Sequence, residues 1–169
     1  MTVVVAVVSP TGAWIGADSL ASDSDTGQAT ISRTPKIAKF GNLLVGFAGS
    51  WGIGKLIFEQ LQSSQSPSPQ RFLQHFTPEK LEPYKASSEN DWCLLMVYDR
   101  RVFEIGNDFS CVEVQKNKGY AYNAIGSGAS IALGALWLDH EDDGSVIHAL
   151  EASETHSIFV RKPFLIIGE

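Results

Sequence analysis

Cationic runs are missing from this chain of 169 residues: its 13 lysines and arginines are scattered, and no basic cluster is longer than a pair such as Arg100-Arg101. With a net charge of −6, that absence argues against a nucleic-acid partner. Cysteine is scarce as well. Cys93 and Cys111 stand 18 residues apart with no C-x-x-C pattern, which excludes a disulfide framework or a thiolate zinc site and fits two reduced core thiols. No apolar segment approaches the ~20 residues that span a bilayer. The apolar start has no positive charge before it, the first basic residue being Arg33, so a signal peptide is not expected. The expected setting is cytoplasmic, with no membrane partner. Charged residues make up only 19%, below the usual ~25%, which points to faces covered by other subunits.

What the chain has is apolar residues in short runs. A hydrophobic content of 44% with mean hydropathy near zero predicts one domain over residues 1–169 with a core of its own. The run VVVAVV (3–8) and AWIGA (13–17) flank a Pro10–Gly12 turn and read as a hairpin. KIAKF (36–40) and LLVGFA (43–48) read as a second, around Gly41-Asn42. WCLLMVY (92–98) and RVFEI (101–105) read as a third, and CVEVQ and YAYNAIG as two further strands. Helical spacing appears over 53–62, where Ile53, Leu56, Ile57 and Leu61 share a face, and again around 70–82. Ser127 is positioned to cap a helix over about 129–139, and Ser145 a second helix, VIHALEASETH. SIFV and FLIIGE close the chain as strands. Strands and helices in separate runs predict an α+β layered sandwich, two sheets face to face between two helix layers.

One residue at the head of the first strand carries a chemical question. Cleavage after Met1 would leave Thr2 with a hydroxyl nucleophile and a free α-amine on the same residue. A threonine hydroxyl needs an adjacent base, and an α-amine with a pKa of ~7.7–8.0 is close to working pH. Taken singly, Thr2 is an ordinary strand residue, Asp18 a turn residue, Lys36 a solvated side chain, Ser127 a helix cap and Gly49 a site of positive φ.

Together, Thr2, IGADS (15–19), RTPKIAKF (33–40), GFAGS (46–50) and AIGSGAS (124–130) resemble, in order and spacing, the proteasome β-subunit family. The likeness is nearest its bacterial peptidase relative of the HslV type, among the N-terminal nucleophile hydrolases. The resemblance is firmest over 2–50 and 121–138. It implies a four-layer αββα sandwich, with Thr2 as nucleophile, Asp18 and Lys36 as its charged neighbours, Gly49 as the backbone donor to the oxyanion, and Ser127 beside the terminal amine. Lys36 would favour the alkoxide and keep the amine neutral by like-charge repulsion, while Asp18 would hold Lys36. The resemblance also implies polypeptide substrate, a homo-oligomeric ring or double ring, and a separate AAA+ unfoldase, no nucleotide motif being present: SWGIGKL lacks the G-K-[ST] context of a phosphate loop. Trp51 in that stretch is expected at a substrate pocket or a subunit contact. No cofactor or metal is expected.

Two departures bear on activity. The family's Asp after the last helix corresponds here to Ser157, in ETHSIFVRKP, which supplies no charge. The same segment binds a cation through backbone carbonyls in the bacterial relative; Arg161, Lys162 and Pro163 argue against carrying that site over. The acidic run DHEDDG (139–144) lacks the alternating oxygen-ligand spacing of a calcium loop and reads as a turn between helices. The alternatives to a peptidase are a catalytically weak or inactive ring subunit of the same fold, or an amidase acting on small substrates.

Overall fold

β1, Val3–Val8, is buried along its whole length, as a β-branched run covered on both faces must be. The computed structural model describes residues 2–22, 28–65, 67–76 and 92–169. Within it, β1 turns into β2, Ala13–Ala17, forming the expected hairpin with Val5 opposite Gly16. A short hairpin of β3, Leu20–Ser22, and β4, Ala29–Ile31, follows; its mixed polar sequence gave no strand signal. β5, Ile37–Phe40, and β6, Leu43–Gly49, pair as expected through Gly41, which has a φ of 60°.

α1, Trp51–Gln62, starts slightly before the predicted 53. α2, Pro69–His75, is capped by the Ser68 hydroxyl, which accepts from Arg71 N. The predicted helical region ran to 82, and its part beyond residue 76 lies outside the described residues. β7, Trp92–Tyr98, and β8, Arg101–Gly106, turn on Asp99 and Arg100, whose φ values of 50° and 54° are those of a tight hairpin turn with both central residues left-handed. β9, Cys111–Glu113, is exposed throughout, so Cys111 is not the core thiol expected. β10, Ala121–Gly126, leads into α3, Ala129–Leu138, then α4, Asp143–His156, and β11, Leu165–Gly168.

Three expectations are corrected here. Ser127 does not cap α3, whose N-cap is Gly128 with no side-chain bond. Ser145 lies inside α4, where Asp142 is the cap and Ser145 returns the second bond of a capping box. SIFV is a turn, not a strand, because the free edge of β2 is already taken by β11.

The first sheet runs β10-β1-β2-β11 and the second β5-β6-β7-β8-β9. Val4, Ala6, Val8 and Ile15 of the first meet Ile37, Leu44, Leu95 and Val97 of the second. The intervening valines, Val3, Val5 and Val7, point the other way onto α3 and α4, among Leu136, Val146 and Leu150, which is the two-residue period of a strand made visible. On the opposite flank Phe47, Leu94 and Met96 carry α1 and α2 through Ile53, Ile57 and Phe72. The result is the four-layer αββα sandwich of α+β class. No helix among the described residues is long and apolar enough to cross a membrane.

Candidate active site

The register of β1 decides what surrounds Thr2. Val3 lies opposite Gly126 and Val4 opposite Ala17, so the strand begins where the ends of β2 and β10 converge. Thr2 is 3% exposed. Its Oγ1 donates to Asp18 Oδ1 at 2.6 Å. The same carboxylate oxygen accepts from Val3 N at 3.0 Å and from Lys36 Nζ at 2.7 Å, and Oδ2 accepts from Leu20 N at 3.0 Å. Lys36 Nζ also donates to Leu20 O at 2.6 Å. Burial pushes the Lys36 ammonium below its ordinary pKa, while the neighbouring Asp18 carboxylate pulls it back up. The Trp51 ring, set edge-on against Phe47, lies 6.0 Å from Lys36 Nζ, so Trp51 walls the lysine.

The other side of Thr2 is backbone and hydroxyl. Gly126 has a φ of 92°, and a Cβ there would stand 2.4 Å from Thr2 O, so only glycine lets this turn close on the threonine. Gly128 N donates to Thr2 O at 3.2 Å. Thr2 N donates to Ser127 Oγ at 3.1 Å, and Ser127 Oγ in turn donates to Thr2 O at 3.1 Å. This is why Ser127 is not the helix cap: its hydroxyl is engaged with Thr2. Gly49 ends β6 with a φ of 103°. Phe47 N donates to Lys36 O, and N–H groups two residues apart in a strand point to the same edge, so the Gly49 N–H faces the β5 side beyond where β5 begins. A cavity of about 390 Å³ opens between Thr2, Gly49, Trp92, Cys93 and the Gly126-Ser127 turn.

The structure thus brings Thr2, Asp18, Lys36 and Ser127 into one hydrogen-bonded set, with Gly49 across the cavity. Ser157 stays out of it: its Oγ accepts from Phe159 N at 3.2 Å, within its own turn. Sequence reasoning missed Ser153, fully buried on α4, whose Oγ donates toward Gly128 O at 3.1 Å and Ala149 O at 2.9 Å. It also missed the work of Arg161, whose Nη1 donates to the carbonyl oxygens of Glu154, Ser157 and Val160. No local pattern announces either residue. The acidic run forms the expected turn, with Asp139 accepting from Ser145 Oγ and His148 Nδ1 and Asp142 capping α4. Hydrogen bonding from Ser145 and His148 holds the Asp139 carboxyl below the usual carboxylate range.

No protein-family model matches the chain, and no curated protein matches it in sequence. Solved structures match over nearly all of it. BPH of Thiobacillus denitrificans, in complex with epoxomicin, superposes with a TM-score of 0.79 at 20% identity, covering 99% of this chain and 97% of that one. The eukaryotic HslV of Trypanosoma brucei gives a TM-score of 0.68 at 16% identity over 98% of each chain. Anbu, the ancestral beta-subunit, from Yersinia bercovieri gives 0.78 at 14% identity over 98% of this chain and 80% of its own. At these identities the likeness is one of fold alone, the layered sandwich described above.

Proposed function

We propose that this chain is an amide hydrolase of the N-terminal nucleophile type, a threonine peptidase that cleaves unfolded polypeptide, with Thr2 attacking once the Met1–Thr2 bond has been cut. One observation carries the reading. The Thr2 hydroxyl is buried on Asp18 beside the Lys36 ammonium, yet its residue borders an open cavity. An ordinary strand residue has no use for a buried ion pair at its hydroxyl.

In the proposed cycle the liberated α-amine, held by Ser127 Oγ, takes the Oγ1 proton directly or through a water. Oγ1 then bonds the substrate carbonyl carbon. The hydroxyl hydrogen, which rests on Asp18, swings to the amine for this step. The Gly49 N–H meets the oxyanion, a contact worth ~2.7–4 kcal/mol where such donors have been removed. The C–N bond breaks as the leaving nitrogen takes the proton from the α-ammonium, and water hydrolyses the acyl ester to restore Thr2. Lys36 favours the alkoxide and discourages protonation of the amine, so activity is expected to rise with pH through the range in which a free α-amine loses its proton, ~7.7–8.0. The low charged fraction, 19%, supports surface covered by further copies; a homo-oligomeric ring or double ring and a separate AAA+ unfoldase are what the family resemblance implies.

Thr2→Ala is expected to abolish peptide hydrolysis while leaving the fold and assembly intact; undiminished turnover would move the nucleophile elsewhere. Intact mass of the active protein is expected to be lighter by one methionine, and epoxomicin to add to the wild type but not to Thr2→Ala. Retained Met1 with no adduct would favour the second reading, a ring subunit without catalysis, which the self-contained turn of Ser157 motivates. Comparing an unfolded protein with short amides separates the peptidase from a small-substrate amidase.

A further inference from the structure

The last turn of α4 closes around a cation that belongs to the chain. Arg161 Nη1 lies 3.4, 3.1 and 2.7 Å from the carbonyl oxygens of Glu154, Ser157 and Val160. These acceptors recur every third residue and converge on one nitrogen with two hydrogens, so at least one hydrogen is shared. A helix C-terminus carries unpaired carbonyls and the negative end of the dipole, and it draws a positive charge. The resemblance to the bacterial peptidase implies a bound cation on backbone carbonyls of this segment. The residues here do not fit one, because a guanidinium already sits among the oxygens.

That turn touches both halves of the surroundings of Thr2. The Arg161 carbonyl accepts from Ser19 N at 3.1 Å, and Ser19 Oγ donates to Pro163 O at 2.6 Å; Ser19 directly follows Asp18. Val160, fully buried, packs so close to Gly128 that a Cβ there would meet its Cγ2 at 2.9 Å. Gly128 in turn donates to Thr2 O. Lys162 ties the segment back to α4 through Glu154 Oε1 at 3.0 Å and Glu151 at 3.1 Å.

We propose that Arg161 is a positioning residue whose guanidinium stands in for a bound metal cation, so that the turn bracing Asp18 and Gly128 is held without any metal. Only the kinetic part of the test rests on the threonine-hydrolase reading. Arg161→Ala would leave three carbonyl oxygens converging with no positive charge between them, a donor set suited to a hard cation.

Melting in sodium, potassium, magnesium or calcium chloride at fixed ionic strength, with EDTA and choline chloride controls, tests the inference. The wild type is expected to show one Tm throughout. Arg161→Ala is expected to melt lower and to regain Tm saturably with one of these cations, as a ligand binding only the folded state requires. Arg161→Lys, keeping the charge, is expected to fall between the two without a cation response. Where hydrolysis is measurable, kcat of Arg161→Ala is expected to fall by up to about a hundredfold with KM little changed, and to recover with the same cation. A saturable cation response in the wild type would overturn the inference. So would an Arg161→Ala protein that melts with the wild type, or that melts lower and stays indifferent to every cation. The melting measurements need no turnover, so a failed peptidase reading and a failed role for Arg161 give different results.

Discussion

Asp18 answers four donors with two oxygens: Thr2 Oγ1, Val3 N and Lys36 Nζ on one, Leu20 N on the other. Its side chain is fully buried and that of Lys36 nearly so, which makes the pair costly to break from one side. Lys36→Met strands a carboxylate in the interior and is expected to cost about 3–5 kcal/mol in urea unfolding, with turnover lost as well. The pair also has a pH signature. Burial lowers the Lys36 pKa in the folded chain from 10.5. Between that lowered value and 10.5 the unfolded chain binds more protons, so stability rises with pH across the window; below it the cost of burying the ammonium is present in full. The wild-type stability relative to Lys36→Met is therefore expected to climb through this alkaline range, and a flat difference would count against the assignment. Thr2, Asp18, Lys36, Gly49 and Ser127 were legible only as a set, from order and spacing. Ser153 and Arg161 were not, because a polar residue near a helix end reads the same whether it meets water or the backbone of a distant turn.

Among the elements, hairpins were the most legible, since Pro10, Gly12, Gly41 and Asn42 are residues a tight reversal needs. Helix starts were less so. Ser127 and Ser145 are both good cap residues, but a better use for the first hydroxyl lay across the fold at Thr2, and Asp142 outcompeted the second three residues upstream. SIFV has strand composition, but β11 holds the edge of β2 and SIFV forms the turn before it. The Gly126-Ser127-Gly128 turn shows how far a local rule reaches. Gly126→Ala must hold a φ of 92° and bring a Cβ to 2.4 Å from Thr2 O, where the neighbour is rigid backbone. It is expected to destabilise by more than about 1 kcal/mol and to remove turnover by displacing Thr2. Thermal unfolding and steady-state kinetics check both parts; an alanine tolerated at full kcat would show that this turn does not set the position of the nucleophile.

The whole molecule matters because the site straddles the two sheets. Thr2, Asp18 and Ser127 come from strand ends of the first, Lys36 and Gly49 from the second, so the spacing between the sheets is also the spacing of the chemistry. Gly46 on β6 faces the first sheet closely: a Cβ on it would meet Val4 Cγ1 of that sheet at 2.6 Å, and Ile37 Cγ2, its pairing partner on β5, at 2.8 Å. Val4 lies just beyond Thr2 on one sheet, and Ile37 directly follows Lys36 on the other. Gly46→Ala is expected to push the sheets apart at a cost of about 1–3 kcal/mol and to lower kcat more than it changes KM, since the ammonium moves relative to the hydroxyl. Gly134 supplies the control. It sits exposed on α3, where an added methyl would meet nothing within 4 Å, and Gly134→Ala is expected to gain about 0.5–1 kcal/mol with kinetics unchanged. Urea unfolding and steady-state kinetics on the two variants separate stability from alignment: a Gly46→Ala protein that loses stability but keeps wild-type kcat would show that the site tolerates movement between the sheets.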